Sequence, residues 1–314
     1  MEIHSVKIGN ATAKVNVFLA PMAGYTDCAF RKLALGLGAG FCFTELVSAK
    51  GLCYGQNGSK NLLRCDGEEE KTAVQLFGAD PYFMRKACES EDLSRFSVVD
   101  INMGCPVPKV FKNGEGSALL QNIALAEKVI KECVKSGKNI TVKIRTGIKY
   151  GDDVAQDFAI MAEQSGAKLI TIHGRVREAY YSGEIDYNAI KKAKNSVSVP
   201  VIANGGIFTT EDADVMAEKT GADGIMLARG AIADPFLFST LTGKQITVTK
   251  KEFILSHVSY ARKYLDEKIL VAEFRKFLPY YAKGLKNSKE IRQACNEQTT
   301  LCGLIGVITE KFPD

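Results

Sequence analysis

The sequence has no tryptophan, no CxxC pair and no low-complexity tract. Nowhere does it hold about 18 consecutive apolar residues, which removes a membrane-spanning helix. The opening segment MEIHSVKIGNATAKVNVFLAP lacks an apolar stretch of signal-peptide length. Without paired cysteine spacings the common zinc arrangements are excluded, and no metal site is expected. The nine cysteines (28, 42, 53, 65, 88, 105, 133, 295 and 302) cannot all pair, and thiols in a reducing compartment are the simpler reading. A soluble, cytoplasmic protein is expected, with most cysteines serving as small buried apolar residues.

What remains is ample for a large core. The 314 residues are 46% hydrophobic and 25% charged, as in ordinary globular proteins. That length fits one (β/α) barrel of roughly 250 residues with a small appendage. The net charge of +5 is uneven: from Lys250 onward twelve basic residues face eight acids, so +4 lies in the last fifth. Such a tail suits a polyanion, although a solvated helical face has the same composition.

Eight apolar, β-branched runs alternate with helical patterns, the pattern of repeated βα units. They are 17–23, 41–48, 72–78, 98–105, 140–147, 168–175, 199–206 and 224–230. An α/β fold follows, an eight-stranded TIM barrel. Helices are expected at 118–135, 152–165 and 209–220. After Ala233 the strand pattern stops, and 250–311 reads as amphipathic helices broken near Pro279 and Gly284. The expected division is a barrel over 1–243 and a basic helical domain over 244–314.

Barrel active sites are assembled at the carboxyl ends of the strands. Here those ends carry Gln75, Asn102, Cys105, Lys143, His173, Asn204 and Arg229, a concentration of polar chemistry that points to an enzyme. Gly205, Gly206 and Gly230 fall where barrels bind phosphate through backbone N–H groups, though each also makes sense as a turn. Lys143, inside an apolar strand, needs an anionic partner: a structural salt bridge, or the ring of a flavin, with Gln75 on the pyrimidine edge. His173, taken alone, reads first as a satisfied core histidine. Cys105 is projected by Pro106 and Pro108 into a loop, a placement suited to a general acid or nucleophile as well as to a buried thiol.

The segments APMAGYTDCAFR, TELVSAKGL, VQLFG, DINMGCPVPKV, GSALL, TVKIRTG, TIHGRVREAYYSG, PVIANGGI and GIMLARGAI resemble, in order and spacing, those of the tRNA-dihydrouridine synthases, over nearly the whole chain. The similarity is greatest to the bacterial branch. It implies bound FMN, NADPH as reductant and hydrogen added across C5=C6 of a uridine in tRNA. Carried onto this sequence, it implies that Pro21, Met22 and Ala23 border the flavin, Gln75 and Lys143 bond its ring and His173 lies beside it. It further implies that Asn204, Gly205, Gly206, Ala228 and Arg229 hold the phosphate, Cys105 protonates C5 and Asn102 contacts the uracil. The uridine must leave its stack to reach such a pocket. The tail, Lys109 and Lys112 would bind phosphates, and with no tryptophan surface stacking would fall to Tyr or Phe. No obligate protein partner is implied. Two departures stand out: Gly205-Gly206 where relatives often have Gly-Asp, and Arg275-Lys276-Phe277 where they often have Arg-Lys-His, which would remove an RNA contact. The competing reading is an FMN barrel acting on a free pyrimidine, which leaves the basic tail and the NMGCP loop unexplained.

Overall fold

The structure, a computed structural model, describes residues 1–313; the last residue of the expected tail domain, Asp314, lies outside them. Strands β1 (Val6–Ile8) and β2 (Ala11–Ala13) form an antiparallel hairpin. Eight parallel strands follow: β3 (Val17–Leu19), β4 (Cys42–Ser48), β5 (Thr72–Phe77), β6 (Val98–Met103), β7 (Asn139–Arg145), β8 (Ile170–His173), β9 (Val201–Asn204) and β10 (Gly224–Leu227). Each pairs with its neighbour in sequence, and β10 returns to β3. Leu19 N donates to Phe41 O at 2.9 Å and Gly40 N to Val17 O at 2.8 Å, which closes the remaining seam. All eight expected strands are present, and the fold is a TIM barrel.

The period of two along each strand separates two cores. One set of side chains, including Val74, Leu76, Val99, Ile101, Val142, Ile144, Ile170 and Ile172, packs outward against the helices. The other set, Phe18, Phe41, Phe43, Ala73, Val98, Leu169, Ile202 and Met226, fills the interior together with Val6, Ile8 and Ala13 of the hairpin. Asn139, at the start of β7, donates to Asn10 Oδ1 at 2.5 Å and accepts from Asn10 N at 3.3 Å, fixing the hairpin across the amino-terminal end of the barrel. Strands of three residues are too short to show a period, and the hairpin was not expected.

Three helix expectations need correction. The span 118–135 is a 3₁₀ turn (Gly116–Gln121) followed by a helix (Ile123–Val134), because Asn122 accepts from Leu125 N at 3.0 Å and starts a new helix. The span 152–165 shortens to Ala155–Gln164, since Asp152 is spent accepting from the backbone N–H groups of Ile148 and Lys149. Pro279 does not break the tail: it lies within the helix Glu267–Tyr281. The other tail helices are Lys250–Ala261, Ser288–Glu297 and Leu301–Lys311. Thr210–Thr220 is as expected, with Thr209 as its capping residue.

The tail and the barrel share one continuous apolar core. At its centre is fully buried His257, whose Nδ1 lies 3.0 Å from the Tyr281 hydroxyl and whose Nε2 faces Asp27 of the barrel at 3.7 Å. Phe277 stacks on Phe30 at 5.9 Å and meets Tyr25 edge-on at 5.4 Å. Position 277 is therefore a packing position, and its phenylalanine belongs to the core and not to an exposed contact.

Candidate active site

Past the apolar floor, the inward positions of the strands turn polar. Gln75, Asp100, Asn102, Thr141, Lys143, Arg145, His173 and Asn204 occupy these positions from the middle of β5 to β9 to their carboxyl ends. Above them opens a cavity of about 570 Å³. Every residue expected in the site lines it: Pro21, Met22, Ala23, Gln75, Asn102, Cys105, Lys143, His173, Asn204, Gly205, Gly206, Ala228 and Arg229.

One hydrogen-bonded chain organises the floor. Thr141 Oγ1 donates to Asp100 Oδ1 at 2.6 Å, and Gln75 Nε2 donates to Asp100 Oδ2 at 2.7 Å. Asn102 Nδ2 donates to Gln75 Oε1 at 2.9 Å. The other end of Asn102, its Oδ1, accepts from Gly104 N at 3.2 Å and Cys105 N at 2.9 Å. Asn102 thus fixes the turn that presents Cys105, and the Gln75 amide, 1% exposed, keeps one N–H uncommitted. Burial pushes Asp100 up to about 6, against the hydrogen bonds from Gln75 and Thr141 and the charge of Lys143.

Lys143 Nζ donates to Asn204 Oδ1 at 3.0 Å, and no carboxylate pairs with it among the described residues. Desolvation, with Arg145 adding to it and Asp100 opposing, lowers its pKa to about 7. The salt-bridge reading of Lys143 is therefore not what the site contains. His173 is 7% exposed and held well below the usual imidazole range, first by burial and then by Arg145, Lys143, Arg175 and Arg229. It is neutral at pH 7.

The turn after β9 is built for close approach. Gly205 and Gly206 have φ of +120° and +71°, and a Cβ on Gly205 would come 2.7 Å from His173 Cδ2. Beside them, Arg175 Nη1 is buried without a hydrogen-bond partner, while its Nε donates to Gly183 O at 3.0 Å. Arg229 donates to Tyr181 O at 3.0 Å and lies over the rings of Tyr181 and Phe208.

Cys105 is half-buried, and burial raises its thiol pKa while the N–H of Val107 and the charge of Arg145 oppose. A protonated thiol at neutral pH is the result. Its carbonyl accepts from Ser117 Oγ at 2.7 Å, which closes the loop over Lys109 and Lys112, both exposed. All nine cysteines are free and five are buried.

Four contributors, Arg145, Asp100, Arg175 and Tyr280, were not singled out from sequence. Arg145 and Asp100 are charged residues inside apolar strands, the same signal that exposed Lys143. Tyr280 reaches the cavity from the tail and meets Tyr25 edge-on at 5.7 Å, a contact no local pattern shows.

A closed eight-stranded barrel with a cationic, cofactor-sized cavity at the carboxyl ends of its strands defines a (β/α)₈ enzyme. The same fold occurs in 2-naphthoyl-CoA reductase (TM-score 0.60, 11% identity, 76% of this chain and 52% of that one). It occurs also in morphinone reductase (TM-score 0.54, 12% identity, 77% and 91%). Residues 18–310 match the family described as Dihydrouridine synthase (Dus). A probable tRNA-dihydrouridine synthase of Rickettsia bellii is 35% identical over 304 residues, covering 93% of both chains. A tRNA-dihydrouridine synthase B of Vibrio parahaemolyticus is 35% identical over 301 residues, covering 93% of this chain and 94% of that one. The chain belongs to the dihydrouridine synthase family, flavin-dependent enzymes that reduce uridine in tRNA.

Proposed function

We propose that this protein reduces the C5=C6 bond of a uridine in tRNA, holding FMN in the barrel mouth and taking its electrons from NADPH. The observation that carries the reading is the convergence on one cavity of a protonated Cys105 and a buried Lys143 that hydrogen-bonds Asn204. The residues fit FMN: Gly205, Gly206, Arg229 and the unpartnered Arg175 Nη1 suit its phosphate. Lys143 and the spare N–H of Gln75 suit its ring, with Pro21, Met22, Ala23 and Ala228 as apolar border and neutral His173 alongside. When bound, FMN supplies the hydride that uracil C6 receives.

The chain's own residues do the rest. Lys143 places positive charge beside the ring system, and Asn204 holds it there. Asn102 fixes the cysteine turn and borders the uracil. Cys105 transfers its Sγ proton to C5, and the thiolate left behind is reprotonated from solvent. The raised thiol pKa favours donor over nucleophile. The helices of the tail, taken as a tRNA-binding unit over 244–314 on a barrel of 1–243, supply phosphate contacts through exposed Lys283, Lys286, Lys289 and Arg292. A tRNA substrate suits a cytoplasmic protein.

The deciding experiment maps dihydrouridine in tRNA from cells with and without this protein and measures the spectrum and released cofactor mass of the purified enzyme. Loss of dihydrouridine at defined positions, with FMN released, is expected. A colourless protein that FMN does not reconstitute, or reduction of free pyrimidines with tRNA untouched, would overturn the reading.

A further inference from the structure

Beyond Cys105 the chain runs out into a loop whose short helix, Pro108–Lys112, has no buried side chain. The loop is anchored at its foot, where Cys105 O accepts from Ser117 N at 3.2 Å and from Ser117 Oγ at 2.7 Å. Higher up, its backbone bonds close on the loop itself: Phe111 N donates to Val107 O and Gly114 N to Phe111 O, each at 3.0 Å. Arg177, in the loop after β8, reaches this helix from outside. Its guanidinium carbon lies 3.8 Å from the centre of the Phe111 ring, the closest cation–π pair among the described residues. The backbone beneath it is fixed, since Arg177 N donates to Gly147 O and Glu178 N to Ile148 O, each at 2.9 Å. Arg177 Nε is buried without a hydrogen-bond partner. The arginine ion pairs among the described residues are those of Arg85 and Arg95, so no carboxylate balances Arg177. For a guanidinium that has lost water and has no acid beside it, the electron-rich face of an aromatic ring is the compensating partner.

We propose that Arg177 is a positioning residue for Cys105: stacked on Phe111, it holds the cysteine loop against the loop after β8, in the arrangement from which the thiol faces the cavity. The inference rests on the proposed function, in which Cys105 protonates uracil C5. Two arginines join the same pair of loops at different levels. Arg145, 2% exposed, binds backbone at the foot: its Nε donates to Gly104 O at 2.8 Å, and its Nη1 to Val176 O at 3.0 Å and Tyr180 O at 2.9 Å. Arg177 binds a side chain farther out, where the loop has few other ties. Displacement of the helix there is passed to the cysteine, because the chain folds back tightly at Gly116, where φ is +59° and a Cβ would meet Cys105 Cβ and Val110 Cγ1 at 3.0 Å each. Lys109 and Lys112, exposed on the same helix, would carry the pull of any phosphate they bind onto the residue that Arg177 grips. Loss of the contact leaves the thiol itself intact and lowers the population of the loop that presents it.

The test has two arms. One follows single-turnover reoxidation of the pre-reduced holoenzyme by saturating tRNA. The other follows alkylation of Cys105 by iodoacetamide in the oxidised holoenzyme without tRNA, read by peptide mass spectrometry with exposed Cys302 as internal reference. Arg177→Met and Phe111→Leu should each slow reoxidation about tenfold, the scale of one desolvated cation–π contact. Each should raise the Cys105 alkylation rate, while FMN binding, NADPH reduction and the Cys302 rate stay as in the wild type. The double variant should be no slower than either single one, because the two side chains act as one contact. Phe111→Tyr, which keeps the ring face, should restore most of the rate that Phe111→Leu loses, and the two Phe111 variants carry the comparison if Arg177→Met does not fold. Additive losses in the double variant, or unchanged Cys105 alkylation in both single variants, would overturn the proposal, and so would loss of FMN from Arg177→Met. Near-normal reoxidation in Cys105→Ala overturns the underlying reading separately, and the alkylation arm, run without tRNA, still decides whether Arg177 holds the loop.

Discussion

Lys143 and Asn204 form a donor–acceptor pair whose acceptor is itself held from behind: Asn204 Nδ2 donates to Met226 O at 2.7 Å, so its Oδ1 is turned towards the lysine 3.0 Å away. Three strands, β7, β9 and β10, contribute the ammonium, the amide and the carbonyl. In the proposed flavin site, the charge of Lys143 is thereby set by the barrel wall and not by a loop.

A pH dependence follows from that pair. With Lys143 lowered to about 7 in the free site, an anionic ligand raises its pKa, and binding takes up a proton at any pH between the two values. FMN affinity should be flat below about pH 7 and fall as pH rises above it. Calorimetric titrations in buffers of different ionisation enthalpy would show the proton uptake. Lys143→Arg should flatten the profile; an unchanged profile in that variant would assign the titration to another group.

Cys105→Ala should leave FMN bound and NADPH reduction nearly unchanged, while reoxidation by tRNA slows about a hundredfold or more, as for loss of a general acid. Cys133→Ala, in the helix after β6, should leave both steps alone. Stopped-flow traces of flavin absorbance separate the two half-reactions. Retained tRNA reoxidation in Cys105→Ala would remove it from the mechanism.

Gly205→Ala tests the phosphate turn. A Cβ there would meet His173 Cδ2 at 2.7 Å and Ile185 Cδ1 at 2.8 Å, in a backbone conformation with φ +120°. Strain of about 1–3 kcal/mol should appear as weaker FMN binding and a lower melting temperature. Gly221→Ala, also at positive φ but with open space around it, should affect stability and leave FMN affinity unchanged.

Because tail and barrel share a core, surface charge changes test the RNA face better than truncation does. Replacing Lys283, Lys286, Lys289 and Arg292 together by alanine should weaken tRNA binding and flatten its salt dependence, by about 0.7–0.9 in the log–log slope for each phosphate that is no longer neutralised. An unchanged slope, measured by filter binding across a salt series, would move the RNA-binding face elsewhere.

Much of this architecture could be read from residue pattern. Buried strands advertise themselves by length, β-branching and polar residues at one end, so the eight barrel strands and the cavity-lining positions agree. What escaped has a physical reason in each case. Asn122 interrupts an apolar periodicity that passes unbroken through it, because its cap is a single hydrogen bond. Pro279 removes one backbone N–H from the last turn of its helix, yet the helix continues to Tyr281, so the loss of a single bond does not end it. Asp100 and Arg145 carry the signal used for Lys143, a charge inside an apolar strand, but their roles depend on partners up to 41 residues away in sequence. Tyr280 and His257 join the site and the barrel only through tertiary packing, which no local pattern contains.

The hairpin β1–β2 packs Val6, Ile8 and Ala13 into the amino-terminal end of the barrel, so the cavity opens at the opposite end. On the proposed reading, reductant and RNA would both approach from the end of the barrel that carries Tyr181, Phe208 and Tyr280. Occupancy by one would then bar the other, and the two halves of the proposed reaction would run as alternate strokes. High concentrations of either visitor would stall the cycle by holding the door against the other.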